Sequence, residues 1–397
     1  MASNDSKDYS DKDTLISLEN EFILQTYERA KVVFTHGKGC YLYDSHGKEY
    51  VDFVGGIATT SIGHANRKVN DAISSQAKKL ISVSNLYYSQ PMIILAEKLS
   101  KLSGMNAVFF CNSGTEAIEA AIKLARKFTG KKGIIACVNG FHGRTMGALS
   151  ITYKEKFRKP FEPLVPGMSF VPFNDIQALS NSITDETAAF IVEPIQGESG
   201  IIVPFQDYLK EVKSICEKKG ILLIVDEIQT NMRTGKFFAY QHEGIIPDIV
   251  TVAKGIANGV PIGILLTTSK VREAFKHGDH GSTFGGNALS CAAANAVIDF
   301  IVENKLVEKS AENGDYFMKK LNSLRKKHPK IKEVRGKGLM IGVELNVSAK
   351  DIVEKCLDKG LVVNKCSEYV LRFLPPLIVG KKEINKAVAI LDEVLGL

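Results

Sequence analysis

Short apolar runs alternate with longer amphipathic segments through the middle of the chain. The runs are rich in β-branched residues and span residues 106–110, 133–138, 188–194, 220–227 and 248–254. Their lengths are typical of strands, and their apolar character is continuous rather than alternating. Because continuous runs favour strands buried on both faces, the pattern predicts a parallel sheet covered by helices.

The amphipathic segments between these runs predict the covering helices. Residues 115–130 and 206–219 repeat apolar residues at helical spacing, and a glycine, Gly130 or Gly220, marks the end of each helix. Alternation of strands and helices predicts an α/β core with right-handed crossover connections.

The two ends of the chain show a different pattern. Residues 38–54 contain two alternating segments around a Ser-His-Gly turn, which predicts a hairpin. Beyond residue 300, helical segments alternate with short strands, and 397 residues are enough for two domains. We therefore expect a large domain at residues 59–290 and a smaller α+β domain formed by residues 1–58 and 291–397.

Composition narrows the classes of function. Lys and Arg total 51 against 44 Asp and Glu, and this excess of +7 forms no long basic run, so nucleic acid is not an expected partner. The apolar stretches are too short to span a membrane. Seven cysteines without a CxxC pair predict reduced thiols and no metal site. The polar, acidic start lacks the pattern of a signal or transit peptide, so we expect a cytoplasmic protein.

The segment NSGTEA at residues 112–117 lies between an apolar strand and a helix. Its Ser113, Gly114 and Thr115 would occupy a helix N-terminus, where free N–H groups and the helix dipole favour a phosphate. An ordinary Ser or Thr cap with a following acid explains the same pattern. Both interpretations stay open from this segment alone.

Two further apolar runs end in charged residues. Asp226 and Glu227 follow ILLIV, and Lys254 follows DIVTVA and precedes Gly255. A buried carboxylate needs a cationic partner, and a lysine that loses solvation has a lowered pKa suited to a Schiff base. Alternatively, the acid caps the next loop and the lysine reaches the surface. A phosphate site, an acid for a pyridinium nitrogen and an amine for an aldehyde together match one cofactor, pyridoxal phosphate.

Six motifs extend this pattern over nearly the whole chain, from about residue 20 to the end. In order they are NSGTEA (112–117), GFHGRT (140–145), VEPIQGE (192–198), VDEIQT (225–230), AKG (253–255) and HGSTFGGN (280–287). Their order and spacing resemble the class-III aminotransferases. The resemblance implies a fold type I transferase that uses pyridoxal phosphate, with a mostly parallel seven-stranded sheet in the large domain and an obligate homodimer.

The resemblance also implies roles for the matching residues. Lys254 would bind the cofactor's aldehyde and move a proton, and Asp226 would pair with the ring nitrogen. The other cofactor-binding positions are the phosphate-binding Ser113, Gly114 and Thr115, the ring-stacking Phe141 and Ile228, the hydroxyl-binding Gln229, and Thr283. The substrate-binding positions are the carboxylate-binding Arg144 and Arg372, Glu198, which would pair with Arg372 until glutamate displaces it, and Ser282. The segment with Ser282 and Thr283 would come from the neighbouring subunit.

The segment SNLYYSQP at residues 84–91 is similar to that of the acetylornithine enzymes of the family, whereas ornithine enzymes carry a pattern closer to SRAFYN. We therefore expect transfer of the δ-amino group of N-acetylornithine to 2-oxoglutarate. Ornithine or another ω-amino acid stays open as the substrate, including one linked to a small acidic amino-group carrier protein. An aminomutase reaction is a further alternative, and Arg372 argues against it because a glutamate-binding arginine implies a second substrate.

One loop departs from the family pattern. Where the family runs DE.QTG.GRTGK, this chain reads DEIQTNMRTGK at residues 226–236, which is one residue shorter. Asn231 and Met232 replace the glycine-rich part. Because Asn adopts a positive φ less readily than Gly, we expect this loop to turn differently.

Overall fold

The structure is a computed structural model and describes residue 9 and residues 11–397. The strands in this part of the chain are β1 Phe34–Lys38, β2 Tyr41–Asp44, β3 Glu49–Asp52, β4 Ala107–Cys111, β5 Gly133–Cys137, β6 Met168–Val171, β7 Thr187–Val192, β8 Leu222–Asp226, β9 Ile249–Val252, β10 Gly263–Thr267, β11 Ile331–Lys337, β12 Met340–Leu345, β13 Leu361–Val362, β14 Asn364–Lys365 and β15 Val370–Phe373. The helices are α1 Lys12–Phe22, α2 Gly55–Ala58, α3 Arg67–Ala77, α4 Gln90–Ser103, α5 Gly114–Thr129, α6 Met146–Ser150, α7 Glu155–Arg158, α8 Ile176–Ser182, α9 Tyr208–Lys219, α10 Ser269–Arg272, α11 Ala288–Glu303, α12 Leu306–Lys327, α13 Ala349–Asp358 and α14 Lys381–Gly396. Short 3-10 helices span Lys159–Phe161, Ala239–Glu243 and Lys254–Ala257.

A seven-stranded sheet forms the centre of the fold, in the order β4-β10-β9-β8-β7-β5-β6. Strand β10 is antiparallel to both of its neighbours, and the remaining pairs are parallel. All five apolar runs form strands of this sheet, so the predicted α/β fold with a mostly parallel sheet is confirmed. Strands β6 and β10 were not among the predicted runs.

Helices cover both faces of this sheet. In β8, Leu223 and Val225 belong to one apolar cluster, and Leu222 and Ile224 belong to another. Because alternate residues of a strand point to opposite faces, the two clusters lie on opposite sides. Helix α9 contributes to the first cluster and helix α5 to the second. Both helices end at the predicted glycines, which adopt the left-handed conformation.

The two ends of the chain meet in a smaller sheet of order β1-β2-β3-β13. Strands β2 and β3 form the predicted hairpin, and β13 pairs in parallel with β3 through Leu361 and Val51. A third sheet, β11-β12-β15-β14, follows helix α12. This pairing of the ends agrees with a small domain built from both termini, although its boundaries at residues 58 and 291 stay a prediction. Of the helices described, not one is long and apolar enough to cross a membrane.

The topology brings five loops to one edge of the central sheet. Strands β4 and β9 are both antiparallel to β10, so they run in the same direction as each other and as β8, β7 and β5. The carboxyl ends of these five strands therefore lie at one edge. Ligands of open α/β sheets bind at that edge, and every predicted motif except HGSTFGGN follows one of these strands.

Candidate active site

A cavity of about 410 Å³ opens at the carboxyl edge of the central sheet. Ten of the thirteen predicted site residues line it: Ser113, Gly114, Thr115, Phe141, Arg144, Glu198, Asp226, Ile228, Gln229 and Lys254. These ten residues lie at the end of, or after, five different strands, so the fold brings them together. Arg372 lies directly behind this lining, and Ser282 and Thr283 lie elsewhere.

Lys254 stands two residues beyond the end of β9 and is part-buried in the cavity. Its backbone is left-handed, with φ of 53°, a conformation that side-chain-bearing residues rarely adopt. Burial lowers the pKa of its ammonium group, and the carboxylate of Glu198 partly opposes this effect. The site therefore holds an amine that loses its proton more readily than a surface lysine, as covalent chemistry at a carbonyl requires.

Asp226 ends β8 and is 4% exposed. One of its oxygens accepts a hydrogen bond from the Ile228 amide at 3.0 Å, and the other lies 2.7 Å from Nδ1 of His142. His142 was not predicted as a site residue, although it stands beside Phe141 in GFHGRT. The local sequence does not indicate the direction of the His142 imidazole, because its partner, Asp226, lies 84 residues away.

The segment NSGTEA forms the turn between β4 and α5, as predicted. Ser113 caps the 16-residue helix by accepting a hydrogen bond from the Glu116 amide, so the capping interpretation also holds for this residue. A Cβ atom on Gly114 would lie 2.6 Å from Cδ1 of Ile228, so a side chain here would require the isoleucine or the turn to shift. The hydroxyl of Thr115 lies 2.7 Å from that of Thr145. The helix N-terminus thus faces the cavity with its backbone accessible.

Arg372 lies in β15, is 1% exposed and forms an ion pair with Glu198. The Gln229 amide donates a second hydrogen bond to the same Glu198 oxygen at 3.2 Å. Burial works to raise the pKa of Glu198, but the charge and hydrogen bond of Arg372 hold it below the ordinary value. The predicted pair therefore exists, with the acid facing the cavity and the arginine behind it.

Arg144 lies at the mouth of the cavity and is exposed. Its guanidinium carbon is 3.7 Å from the centre of the Phe157 ring and 5.7 Å from that of Phe141. Stacking on an aromatic face leaves the edge of a guanidinium free to donate hydrogen bonds. Arg144 forms no ion pair with any residue that the structure describes, which leaves it available to a carboxylate.

Ser282 and Thr283 do not line the cavity of their own chain. Asn112 donates to the Ser282 hydroxyl at 3.1 Å, and Asn85 donates to the Ser282 carbonyl at 3.0 Å. Thr283 borders a separate surface depression together with Tyr87. That the segment serves a neighbouring subunit stays a prediction from the family resemblance.

The shortened loop after β8 turns at Met232, whose φ is 65° and whose side chain is fully buried. The Asn231 side chain donates to the carbonyls of Glu227, at 2.7 Å, and Ile228, at 3.1 Å. The positive φ thus falls on the residue after Asn231. Side-chain hydrogen bonds of Asn231 hold the loop together where the family has glycines.

A sequence profile described as Aminotransferase class-III matches residues 23–395. The chain belongs to the class-III aminotransferases. Among the relatives of this aminotransferase, the acetylornithine aminotransferase of Methanocaldococcus jannaschii is 51% identical over 386 residues, covering 96% of this chain and 97% of its own. The acetylornithine aminotransferase of Aquifex aeolicus is 48% identical and covers 94% of this chain and 100% of its own.

Solved structures agree with this assignment. The ornithine aminotransferase of Toxoplasma gondii ME49 superimposes with a TM-score of 0.94 at 33% identity, covering 97% of this chain and 95% of its own. The acetylornithine aminotransferase of Elizabethkingia anophelis gives a TM-score of 0.87 at 32% identity, with 97% and 98% covered. The predicted fold type I architecture, aminotransferase activity and pyridoxal phosphate cofactor are therefore confirmed.

The residues of this aminotransferase fit pyridoxal phosphate. The turn at Gly114 has no room for a Cβ unless Ile228 or the turn shifts, and it presents a helix N-terminus suited to a phosphate. Asp226 offers a buried carboxylate and Lys254 an amine with a lowered pKa. These three groups would hold the phosphate, the ring nitrogen and the aldehyde, respectively.

Proposed function

We propose that this aminotransferase moves the δ-amino group of N-acetylornithine to 2-oxoglutarate. The proposal is supported by relatives named acetylornithine aminotransferase that are 46–51% identical over nearly the whole chain. The observation that carries it is the pair of the buried Arg372 and the part-buried Glu198, which interacts electrostatically with Lys254. With the pair closed, the site accepts a substrate by its ω-amine; with the pair open, Arg372 receives the α-carboxylate of glutamate or 2-oxoglutarate.

The protein's own residues then have defined tasks. When bound, pyridoxal phosphate supplies an electron sink that stabilises negative charge on the substrate carbon. Nζ of Lys254 takes the proton from that carbon and returns it, because burial lowers its pKa. Asp226, fixed by His142, stays directed at the ring nitrogen, and Arg144 binds the substrate's α-carboxylate at the mouth. The remaining assignments are Ser113, Gly114, Thr115 and the partner's Thr283 for the phosphate, Phe141, Ile228 and Gln229 for the ring, and the partner's Ser282 for the substrate.

We also propose that two copies share each site in a homodimer. Large apolar side chains are exposed near Ser282 and Thr283: Leu86 is 84% exposed, Tyr88 95% and Phe284 66%. Exposed apolar surface of this kind is costly unless another chain covers it. Free cysteines, six of them buried, agree with a cytoplasmic protein.

A carrier-linked substrate is the second candidate. The outer cavity has a volume of about 1200 Å³ and is bordered by Lys154, Lys156 and Lys365. A wide mouth with three ammonium groups suits a substrate attached to a small acidic carrier protein. Comparison of the free amine with the carrier-bound amine at low and high salt separates the two candidates.

The experiment is a panel of amino donors offered to the purified protein with 2-oxoglutarate, with glutamate as the measured product. We expect N-acetylornithine to be the preferred donor and Lys254→Ala to abolish both turnover and the visible absorbance band of the lysine-bound cofactor. Faster turnover of ornithine, 4-aminobutyrate or a carrier-bound amine would identify that compound as the amino donor in place of N-acetylornithine. The reaction would still be a transamination. Turnover without any keto acid would indicate an aminomutase.

A further inference from the structure

A second buried carboxylate lines the cavity, and the mechanism above does not use it. Glu193 follows β7 directly, is 6% exposed and borders the same space as Asp226 and Lys254. It forms no ion pair with any residue that the structure describes. A buried carboxylate without a cation is costly unless hydrogen bonds stabilise it.

The two oxygens of Glu193 bind two different loops. Oε1 accepts a hydrogen bond from the Phe141 amide at 3.0 Å, and Oε2 accepts one from the Gly197 amide at 3.0 Å. Phe141 belongs to the loop after β5, which is the neighbour of β7 in the sheet. One side chain therefore connects the ring-stacking residue to the loop that carries Glu198.

The backbone of Gly197 contacts the side chains of both Gln229 and Arg372. A Cβ atom on Gly197 would lie 2.1 Å from Oε1 of Gln229, so its backbone packs directly against that side chain. Its carbonyl accepts a hydrogen bond from Nη1 of Arg372 at 3.4 Å. A shift of Gly197 would therefore disturb its contacts with Gln229 and Arg372 and the position of Glu198, the next residue.

The electrostatic surroundings make this carboxylate sensitive to its hydrogen bonds. Burial raises the pKa of Glu193 to about 7, the charge of Asp226 adds to this effect, and His142 opposes it. The two amide hydrogen bonds favour the ionised form. An amide side chain of the same shape cannot satisfy both N–H groups, because it has only one acceptor oxygen.

We propose that Glu193 is a positioning residue that fixes the position of Phe141 relative to the Glu198–Arg372 pair. It acts through two backbone amides and touches neither the reacting carbon nor the transferred amino group. The proposal rests on the transaminase function proposed above, since it concerns the order in which the same site accepts an amine and a dicarboxylate.

The test compares Glu193→Gln with Glu227→Gln. Glu227 is a matched control because it is also a buried carboxylate at the end of a neighbouring strand, it accepts a hydrogen bond from the Tyr240 amide at 2.9 Å, and it does not line the cavity. We expect Glu193→Gln to bind pyridoxal phosphate about tenfold more weakly in an absorbance titration, as the loss of one charged hydrogen bond implies. Hydrogen exchange of the holoenzyme should be faster in segments 138–143 and 195–199, and the KM for 2-oxoglutarate should rise more than kcat falls. Glu227→Gln should show none of these three changes.

Two results would overturn the proposal. One is a Glu193→Gln protein with wild-type cofactor affinity and exchange, and the other is the same loss in both variants. If Glu193→Gln does not fold, Glu193→Asp keeps the charge but is too short to bind both amides, and the same measurements apply. Because cofactor affinity and exchange do not depend on the amino donor, a wrong substrate assignment would leave these results unchanged.

Discussion

Nδ1 of the His142 imidazole lies 2.7 Å from a carboxylate oxygen of Asp226, and both side chains are buried. The other oxygen accepts hydrogen bonds from the Ile228 amide and the Thr251 hydroxyl. Asp226 is therefore fixed from both sides, and its direction depends on a residue of another loop. A carboxylate fixed in this way can hold a ring nitrogen without first reorganising.

Replacement of His142 tests this dependence. We expect His142→Leu to lower kcat by about tenfold or more, because the loss of a hydrogen bond to a charged group costs about 1.5–3 kcal/mol. His142→Asn, whose amide nitrogen can donate from a similar position, should keep most of the activity. The measurements are kcat and the absorbance of the reconstituted enzyme. Equal activity of His142→Leu and the wild type would show that Asp226 does not need the imidazole.

Gly114→Ala tests the cofactor turn. Its Cβ would lie 2.6 Å from Cδ1 of Ile228, so either the turn or the isoleucine must shift. We expect cofactor affinity to fall by about tenfold or more, since small displacements of a phosphate site weaken several hydrogen bonds at once. The double variant Gly114→Ala with Ile228→Val should recover part of the affinity, because valine lacks Cδ1. A titration of the apoprotein with pyridoxal phosphate measures both effects, and absence of recovery would point to the backbone rather than the isoleucine.

Local patterns were sufficient to predict some of the site. Lys254, Asp226 and Gly114 stand at the ends of strands that are apolar enough to identify, and the carboxyl ends of parallel strands meet at one edge. Strand β10 could not be placed in the sheet by the same means, because no local signal shows that it runs antiparallel between β4 and β9.

Residues that depend on distant partners were harder to predict. Glu198 and Arg372 are 174 residues apart, and only the family resemblance suggested their pairing. His142 and Glu193 stand inside the recognised motifs, yet their hydrogen bonds cross to other loops and were missed. The shortened loop could not be predicted for the same reason. The left-handed backbone of Met232 depends on the buried surroundings of its side chain, which the local sequence does not show.

Glu198→Gln tests the alternation between substrates. A neutral amide cannot form the ion pair, so Arg372 has no opposite charge from residue 198 in either half-reaction. We expect kcat/KM for the ω-amine donor to fall by about tenfold or more relative to that for glutamate, because the buried Arg372 loses its part-buried charge partner. Rapid mixing of each substrate alone with the enzyme measures the two half-reactions separately. An equal fall in both would mean that Glu198 is not selective.

Glu227→Gln tests the effect of a buried acid on pH-dependent stability. Burial raises the pKa of Glu227 from 4.5 to about 7, so the folded protein binds its proton more tightly than the unfolded chain does. Stability contributed by the protonated acid is therefore lost as pH rises from about 4.5 to about 7, by at most about 3 kcal/mol. The variant cannot ionise at this position. Its melting temperature relative to that of the wild type should therefore increase as the pH rises from about 5 to about 8. Glu193 titrates in both proteins, so its contribution cancels in the difference between their melting temperatures. A difference in melting temperature that stays constant across this pH range would contradict the raised pKa of Glu227.

Hybrid dimers test whether Thr283 serves the neighbouring subunit. Lys254→Ala removes the amine of its own site, and Thr283→Asp should block a phosphate site by charge repulsion, so each variant alone should be inactive. If Thr283 acts across the dimer, a heterodimer of the two contains one site with both changes and one site with neither. Mixing equal amounts through unfolding and refolding should then restore about a quarter of the wild-type activity, because half of the dimers are mixed and each has one intact site. If Thr283 instead acts within its own chain, the mixture stays inactive, since every site then carries one of the two changes.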